Sequence, residues 1–252
     1  MEKNNDLAIE IINVSKKYIL HHQKPTLIEN IFKLGQKEEE FWALKNINLE
    51  IKKGESYGII GENGSGKTTL LKIISGITSP TSGEVKLNGR IVSLIDVNSG
   101  FNPELTGEEN IFLNGMLLGM SKKEINKQFN KIIKFSGLKS FIDTPFYTYS
   151  LGMKMRLGFS IAIFSNPDIL LVDEILGAGD KKFLEKSSKA IQDFFKQRKT
   201  LIFISHLPQL ISKFCEKTII LEKGEIKDIG KTKKIIKSYN FPHFGQLENL
   251  VI

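Results

Sequence analysis

"YGIIGENGSGKTTLLKII", residues 57 to 74, decides the fold class. Tyr57 to Ile60 is a short apolar run, the octet Gly61-Glu62-Asn63-Gly64-Ser65-Gly66-Lys67-Thr68 fits G-x-x-x-x-G-K-[ST] in full, and Thr69 to Ile74 is compatible with a helix. Strand, glycine-rich turn and helix start, in that order, make a phosphate cradle. The glycines let successive backbone N–H groups converge on one phosphate, and the helix N-terminus adds a favourable field of about 0.3–1 kcal/mol. Lys67 brings a full positive charge to the β and γ oxygens, and the Thr68 hydroxyl is a hard oxygen ligand suited to Mg²⁺. The expected nucleotide contacts are Gly61, Glu62, Asn63, Gly64, Ser65, Gly66, Lys67, Thr68 and Thr69.

A phosphate cradle needs carboxylates on a strand beside it, and "DILLVDE", residues 168 to 174, supplies them. Four apolar residues carry Asp173 and Glu174 to a strand's C-terminal end, where ligands collect in open α/β sheets. Successive strand residues face opposite ways, so the two acids take different roles: Asp173 toward Mg²⁺, through water, and Glu174 polarising the attacking water. "TLIFISH", residues 200 to 206, is the next strand, and its His206 is placed to hydrogen-bond a γ-phosphate. "YGII", "DILLVD" and "TLIFIS" are nearly continuous apolar runs, as expected when helices cover both faces of a parallel sheet. "ALKNINLEI", residues 43 to 51, alternates apolar and polar instead, and with "AIEIINV", residues 8 to 14, predicts an antiparallel edge.

From Thr106 to Gly137 the period becomes helical. Thr106/Glu109 and Ser121/Glu124 each fit a capping box, and Ile125, Phe129, Ile132 and Ile133 form one stripe. Residues from about 98 to 158 read as a helical subdomain inserted between core segments 7–95 and 160–230, with a tail over 231–252. "TYSLGMKMRLGFS", residues 148 to 160, starts a further helix at Ser150, with Met153, Leu157 and Ile161 as its stripe. A serine-capped helix start is a second anion site, which the first cradle's nucleotide does not require. Residues 19 to 40 form a long connection with its own capping box, Thr26/Glu29, predicting a short amphipathic helix.

Composition narrows the classes further. The net charge is +8, but the basic residues are mostly scattered lysines, which describes a solvated surface rather than a nucleic-acid site. One cysteine, Cys215, excludes an internal disulfide framework; with no leader pattern at the start, a reducing cytosol is expected. No apolar run approaches the roughly 20 residues that cross a bilayer.

These pieces, in this order, resemble the nucleotide-binding subunits of ATP-binding cassette (ABC) transporters, from about Ile9 to Gly230. The phosphate loop resembles their Walker A, "ILLVDE" their Walker B, "GAGD" their D-loop ending at Asp180, and "FISH" their histidine switch. "YSLGM" stands where that family has its signature. The resemblance implies an α/β P-loop NTPase domain of the ABC type, with a RecA-like core, that hydrolyses ATP with Mg²⁺. It also implies a homodimer in which Ser150, Leu151, Gly152 and Met153 meet ATP held by the second copy. Residues 149–157, "SGFNPELTGEENI", "VDEILGAGD" and the insert before "FWAL" are similar to the branch that exports O-antigen, capsule and teichoic acid through a separate membrane permease. That implies a peripheral position on the cytoplasmic face of the bacterial cytoplasmic membrane, with no nucleic-acid partner.

The chain departs from the family's pattern in three places. Leu151 fills a slot where Gly or Ser is usual, which sets full ATPase speed in question. The Q-loop has no Gln, leaving Asp96 or Asn98, with Asp96 favoured because its oxygen can ligate Mg²⁺. The adenine-stacking aromatic is Tyr18, with Trp42 as runner-up. The segment after Gly230 reads as too short for a second core, which assigns glycan recognition to the membrane subunit. The rival readings are a soluble ABC-type ATPase acting on ribosomes or nucleic acid, and a P-loop kinase for a small acceptor, which leaves "YSLGM" unexplained.

Overall fold

The computed structural model describes residues 6–20, 39–95, 100–173 and 181–239. The strands are β1 (Leu7–Leu20), β2 (Glu39–Lys52), β3 (Ser56–Ile60), β4 (Ser82–Leu87), β5 (Ile91–Ser93), β6 (Ile169–Val172), β7 (Thr200–Ile204), β8 (Lys217–Glu222) and β9 (Glu225–Lys231). The helices are α1 (Lys67–Ile74), α2 (Gly107–Leu117), α3 (Lys122–Ser136), α4 (Leu151–Phe164), α5 (Lys181–Lys196), α6 (Pro208–Phe214) and α7 (Thr232–Ser238).

The strands form two sheets. A six-stranded sheet runs β5-β6-β7-β3-β8-β9, with every pair parallel except the β8–β9 hairpin at its edge. β3, β6 and β7 are buried at every residue, which explains their unbroken apolar sequences. Alternation then divides them. Tyr57, Ile59, Ile169, Leu171, Ile202 and Ile204 pack with α1, while Ile60, Leu170, Val172, Leu201 and Phe203 pack with α4, α5 and α6. The antiparallel edge expected from "ALKNINLEI" is a three-stranded sheet of its own, in order β2-β1-β4, whose Ile9, Ile11, Leu44, Ile47 and Ile51 cover the α1 side.

One expectation is corrected. The strand bearing Asp173, β6, is not a neighbour of β3, because β7 lies between them. Parallel strands are joined by crossovers, so order along the chain does not fix order in the sheet.

The helices α2, α3 and α4 enclose a third cluster containing Ile111, Ile125, Ile132, Leu157 and Ile161. Both expected capping boxes form. Glu109 N donates to Thr106 Oγ1 at 3.2 Å and Glu124 N to Ser121 Oγ at 3.3 Å, with each glutamate accepting from the cap's backbone N–H in return. The Thr26/Glu29 box lies outside the described residues. α4 belongs to two clusters, since its Phe159 and Ala162 pack on the parallel sheet.

Asn110, fully buried in α2, holds the loop that precedes it. Its Nδ2 donates to the carbonyls of Asn102, Leu105 and Thr106 at 2.9, 3.1 and 3.0 Å, and its Oδ1 accepts from Asn102 N at 2.8 Å. Truncation removes these bonds and leaves Asn102 N without its acceptor, while each of the three carbonyls keeps a backbone donor, so Asn110→Ala should cost about 1–2 kcal/mol, read from the urea midpoint. A loss under about 0.5 kcal/mol would mean that the loop is held by something else.

Candidate nucleotide site

The loop from Gly61 to Gly66 leaves β3 with little freedom. A Cβ on Gly61 would lie 2.1 Å from Leu221 O, and one on Gly66, whose φ is 104°, would lie 2.4 Å from Ala43 O. Side chains are excluded there by neighbouring backbone, so the curl is imposed from outside as well as by glycine's freedom. Lys67 begins α1 and folds back over the loop, its Nζ donating to Gly61 O and Glu62 O at 2.8 Å each, with only 7% of the residue exposed. Ser65 Oγ is buried and has no hydrogen-bond partner. A buried, unsatisfied hydroxyl in a glycine loop beside a buried ammonium fits an anion that accepts from both. Thr68, Glu62 and Asn63 are exposed, and Thr69 is half-buried.

The loop is also braced from behind. Gly224, in the β8–β9 turn, donates to Ser65 O at 3.0 Å, and Gly224 O accepts from Lys45 N at 2.8 Å. Sequence reasoning passed over this brace, although "KG" at 223–224 between two strand-like runs is a turn signal.

Parallel pairing brings the other candidates to the same sheet edge. β3, β6 and β7 all end there, followed by Gly61, Asp173 and Ser205-His206. Asp173 is half-buried and continues the alternation of Ile169 and Leu171, which places it on the α1 side. His206 is exposed two residues past Ile204, behind a tight turn in which Leu207 N donates to Ser205 Oγ at 3.0 Å. Glu174, Asp180, Asp96 and Asn98 lie outside the described residues.

Ser150 is the N-cap of α4, its Oγ accepting from Met153 N at 3.3 Å. The preceding Tyr149 is buried, with its OH donating to Phe141 O at 2.6 Å, so the entry to the helix is fixed. Leu151 is 63% exposed, while Gly152 and Met153 are half-buried. α4 packs on α2, α3 and α5, whereas the phosphate loop leads into α1 against β2. The glycine-rich loop and the serine-capped helix start therefore belong to different parts of the molecule.

Tyr18 pairs with Phe41 and Lys17 with Trp42 across the β1–β2 ladder. Directly opposed residues share a face and successive residues alternate, so Tyr18 and Trp42 point to opposite faces. Both are exposed.

Residues 44–177 match the ABC transporter family. The chain belongs to that family. Among curated relatives of this ABC protein, the teichoic acids export ATP-binding protein TagH of Enterococcus faecalis is 44% identical over 240 residues, covering 95% of this chain and 53% of the relative. The O-antigen export system ATP-binding protein RfbB of Myxococcus xanthus is 46% identical over 197 residues, covering 78% and 45%. Its counterpart in Klebsiella pneumoniae is 39% identical over 239 residues, covering 92% and 97%. The chain thus spans about half the length of the first two relatives and nearly all of the third. Among solved structures, the ATP-binding cassette MJ0796, a dimer in a post-hydrolysis state with ADP and Pi, superposes with a TM-score of 0.72 at 28% identity, covering 89% of this chain and 98% of that one. No helix among the described residues is long and apolar enough to cross a membrane.

Proposed function

We propose that this ABC protein is the ATP-binding and hydrolysing subunit of an exporter of lipid-linked cell-surface polysaccharide, of the O-antigen, capsule or teichoic acid type. It works with a separate membrane permease, peripherally on the cytoplasmic face of the bacterial cytoplasmic membrane. The observation that supports the reading is the separation of two features suited to anions: a glycine loop with a buried ammonium at Lys67, and a serine-capped helix start at Ser150 on the helical layer. A second copy brings its Ser150 and the N–H groups around Gly152 onto the γ-phosphate lying in the first copy's cradle. The names of the relatives supply the export system and the class of polymer.

Lys67 exchanges its two loop carbonyls for phosphate oxygens, and Ser65 gains the partner that it lacks. Thr68 and Asp173 would hold Mg²⁺, which supplies charge neutralisation between the β and γ oxygens when bound. Glu174 polarises the attacking water, His206 hydrogen-bonds the γ-phosphate, and Asp180 ends the segment that resembles the family's D-loop. Losing that phosphate removes what Ser150 of the other copy had gripped. The dimer then opens and the permease follows, because ATP binds the closed pair more tightly than the open one.

Disrupting the gene in its host should strip one polymer from the cell surface while its lipid-linked chains accumulate inside; an unchanged surface glycan refutes export. Turnover accelerated by ribosomes or duplex DNA at physiological salt would favour the soluble ATPase instead. At the adenine end, Tyr18→Ala should weaken ATP binding about tenfold and Trp42→Ala less than about twofold, since only one face of the ladder can stack on the base. Isothermal titration decides between them, and the reverse ranking would transfer the role to Trp42.

A further inference from the structure

The helical layer has a feature that nucleotide chemistry leaves unused: α2, α3 and α4 each end on a cation supplied from outside their own cluster. Arg90 lies between β4 and β5. Its Nη1 donates to Gly119 O at 3.1 Å, just past α2, and its Nη2 donates to Ser165 O and, at 3.3 Å, to Asn166 O, at the end of α4. Arg90 is itself tied to the sheet, since its N–H donates to Asp168 Oδ2 at 2.8 Å and its carbonyl accepts from Asp168 N at 2.8 Å and Ile169 N at 3.1 Å. Lys186, in α5, donates to Lys134 O at 3.2 Å and Phe135 O at 2.8 Å in the last turn of α3, with Nζ 4.4 Å from the centre of the Phe135 ring. Lys199, ahead of β7, donates to Asn166 O at 3.2 Å and Pro167 O at 2.6 Å behind α4.

A helix C-terminus carries about half a negative charge and carbonyls without partners, so a cation donating there is favourable and directional. Apolar contact is less directional: Phe159 and Ala162 of α4 hold the layer on the sheet, and the cations add direction at the helix ends. Desolvation, then the nearby Lys182 and Lys134, pushes the Lys186 ammonium below its usual range, a cost that its two bonds to the end of α3 offset. The angle matters because α4 is a lever. Its 14 residues span about 21 Å, so a tilt of about 10° at Ser165 displaces Ser150 by about 3.6 Å, more than a hydrogen bond tolerates.

We propose that Arg90 and Lys186 are positioning residues that fix the orientation of the helical layer on the parallel sheet, and so the place of Ser150. Their effect on the dimer rests on the function proposed above; their effect on the layer's orientation does not. Spin labels on cysteines introduced at Asn126 in α3 and Lys213 in α6, both exposed, report that orientation in the protomer, while the native Cys215 is buried and stays unlabelled. Without nucleotide, pulsed electron spin resonance should give one narrow distance for the otherwise native chain and a broadened one for Arg90→Met or Lys186→Met, with Arg90→Lys restoring part of the sharpness. Both methionine variants should keep protomer affinity for MgATP within about twofold and lose about tenfold in ATP-driven dimerisation, the cost of one or two charge-assisted hydrogen bonds.

An unchanged distance distribution overturns the proposal, as does native dimerisation in both variants when Ser150→Ala abolishes it. If Ser150→Ala dimerises normally as well, it is the shared-nucleotide reading that has failed, and the distance distribution alone decides the positioning role.

Discussion

Lys67→Ala should lower ATP turnover by about 10²–10³-fold, the usual effect of removing a preorganised charge from a reacting phosphate. The size of the effect follows from the surroundings of Nζ. It is buried and held on the loop by Gly61 O and Glu62 O, so exchanging those carbonyls for phosphate oxygens reorganises little solvent. The fold should survive, because α1 is anchored by Leu70, Leu71 and Ile74, all fully buried, and not by its first residue. Thermal melting separates the two effects: MgATP should raise the midpoint of the native protein and leave that of Lys67→Ala unmoved, while the two share a midpoint without nucleotide. If ATP stabilises the variant as well as it does the native chain, the ammonium is not part of the cradle.

Glu174→Gln should act at the other end of the reaction. Turnover is expected to fall by about 10²–10⁴-fold with nucleotide affinity intact, because a neutral amide cannot polarise the attacking water. Binding without hydrolysis leaves both γ-phosphates gripped, so this variant should run as a dimer with ATP in sizing chromatography and as a monomer with ADP. A monomer under both conditions would remove the basis for nucleotide shared between two copies.

Much of this arrangement is legible in the sequence, for identifiable reasons. Continuous apolar runs at 169–172 and 200–204 announce strands covered on both faces, and both are. Thr106, Ser121 and Ser150 announce helix starts because capping is a local transaction between a side chain and a backbone three residues on. The order of strands is not local. Nothing in "DILLVDE" says that β7 will come between it and the phosphate loop, since pairing is settled by crossovers of dozens of residues. The grip of Arg90 and Lys186 is equally hidden, because its acceptors are backbone carbonyls, which every residue possesses. Opposite faces for Tyr18 and Trp42 follow only once the register Lys17↔Trp42 is known.

The two-residue hairpin at Lys223 and Gly224 would ordinarily be a safe place to splice in an epitope or a reporter, because exposed turns between strands accept extra length. Here Gly224 stands shoulder to shoulder with the backbone of Ala43 and Leu44 and grips Ser65. A graft at that tip would travel straight into the triphosphate's seat, so tolerance to peptide splicing should be poorest at a corner that looks peripheral in the chain.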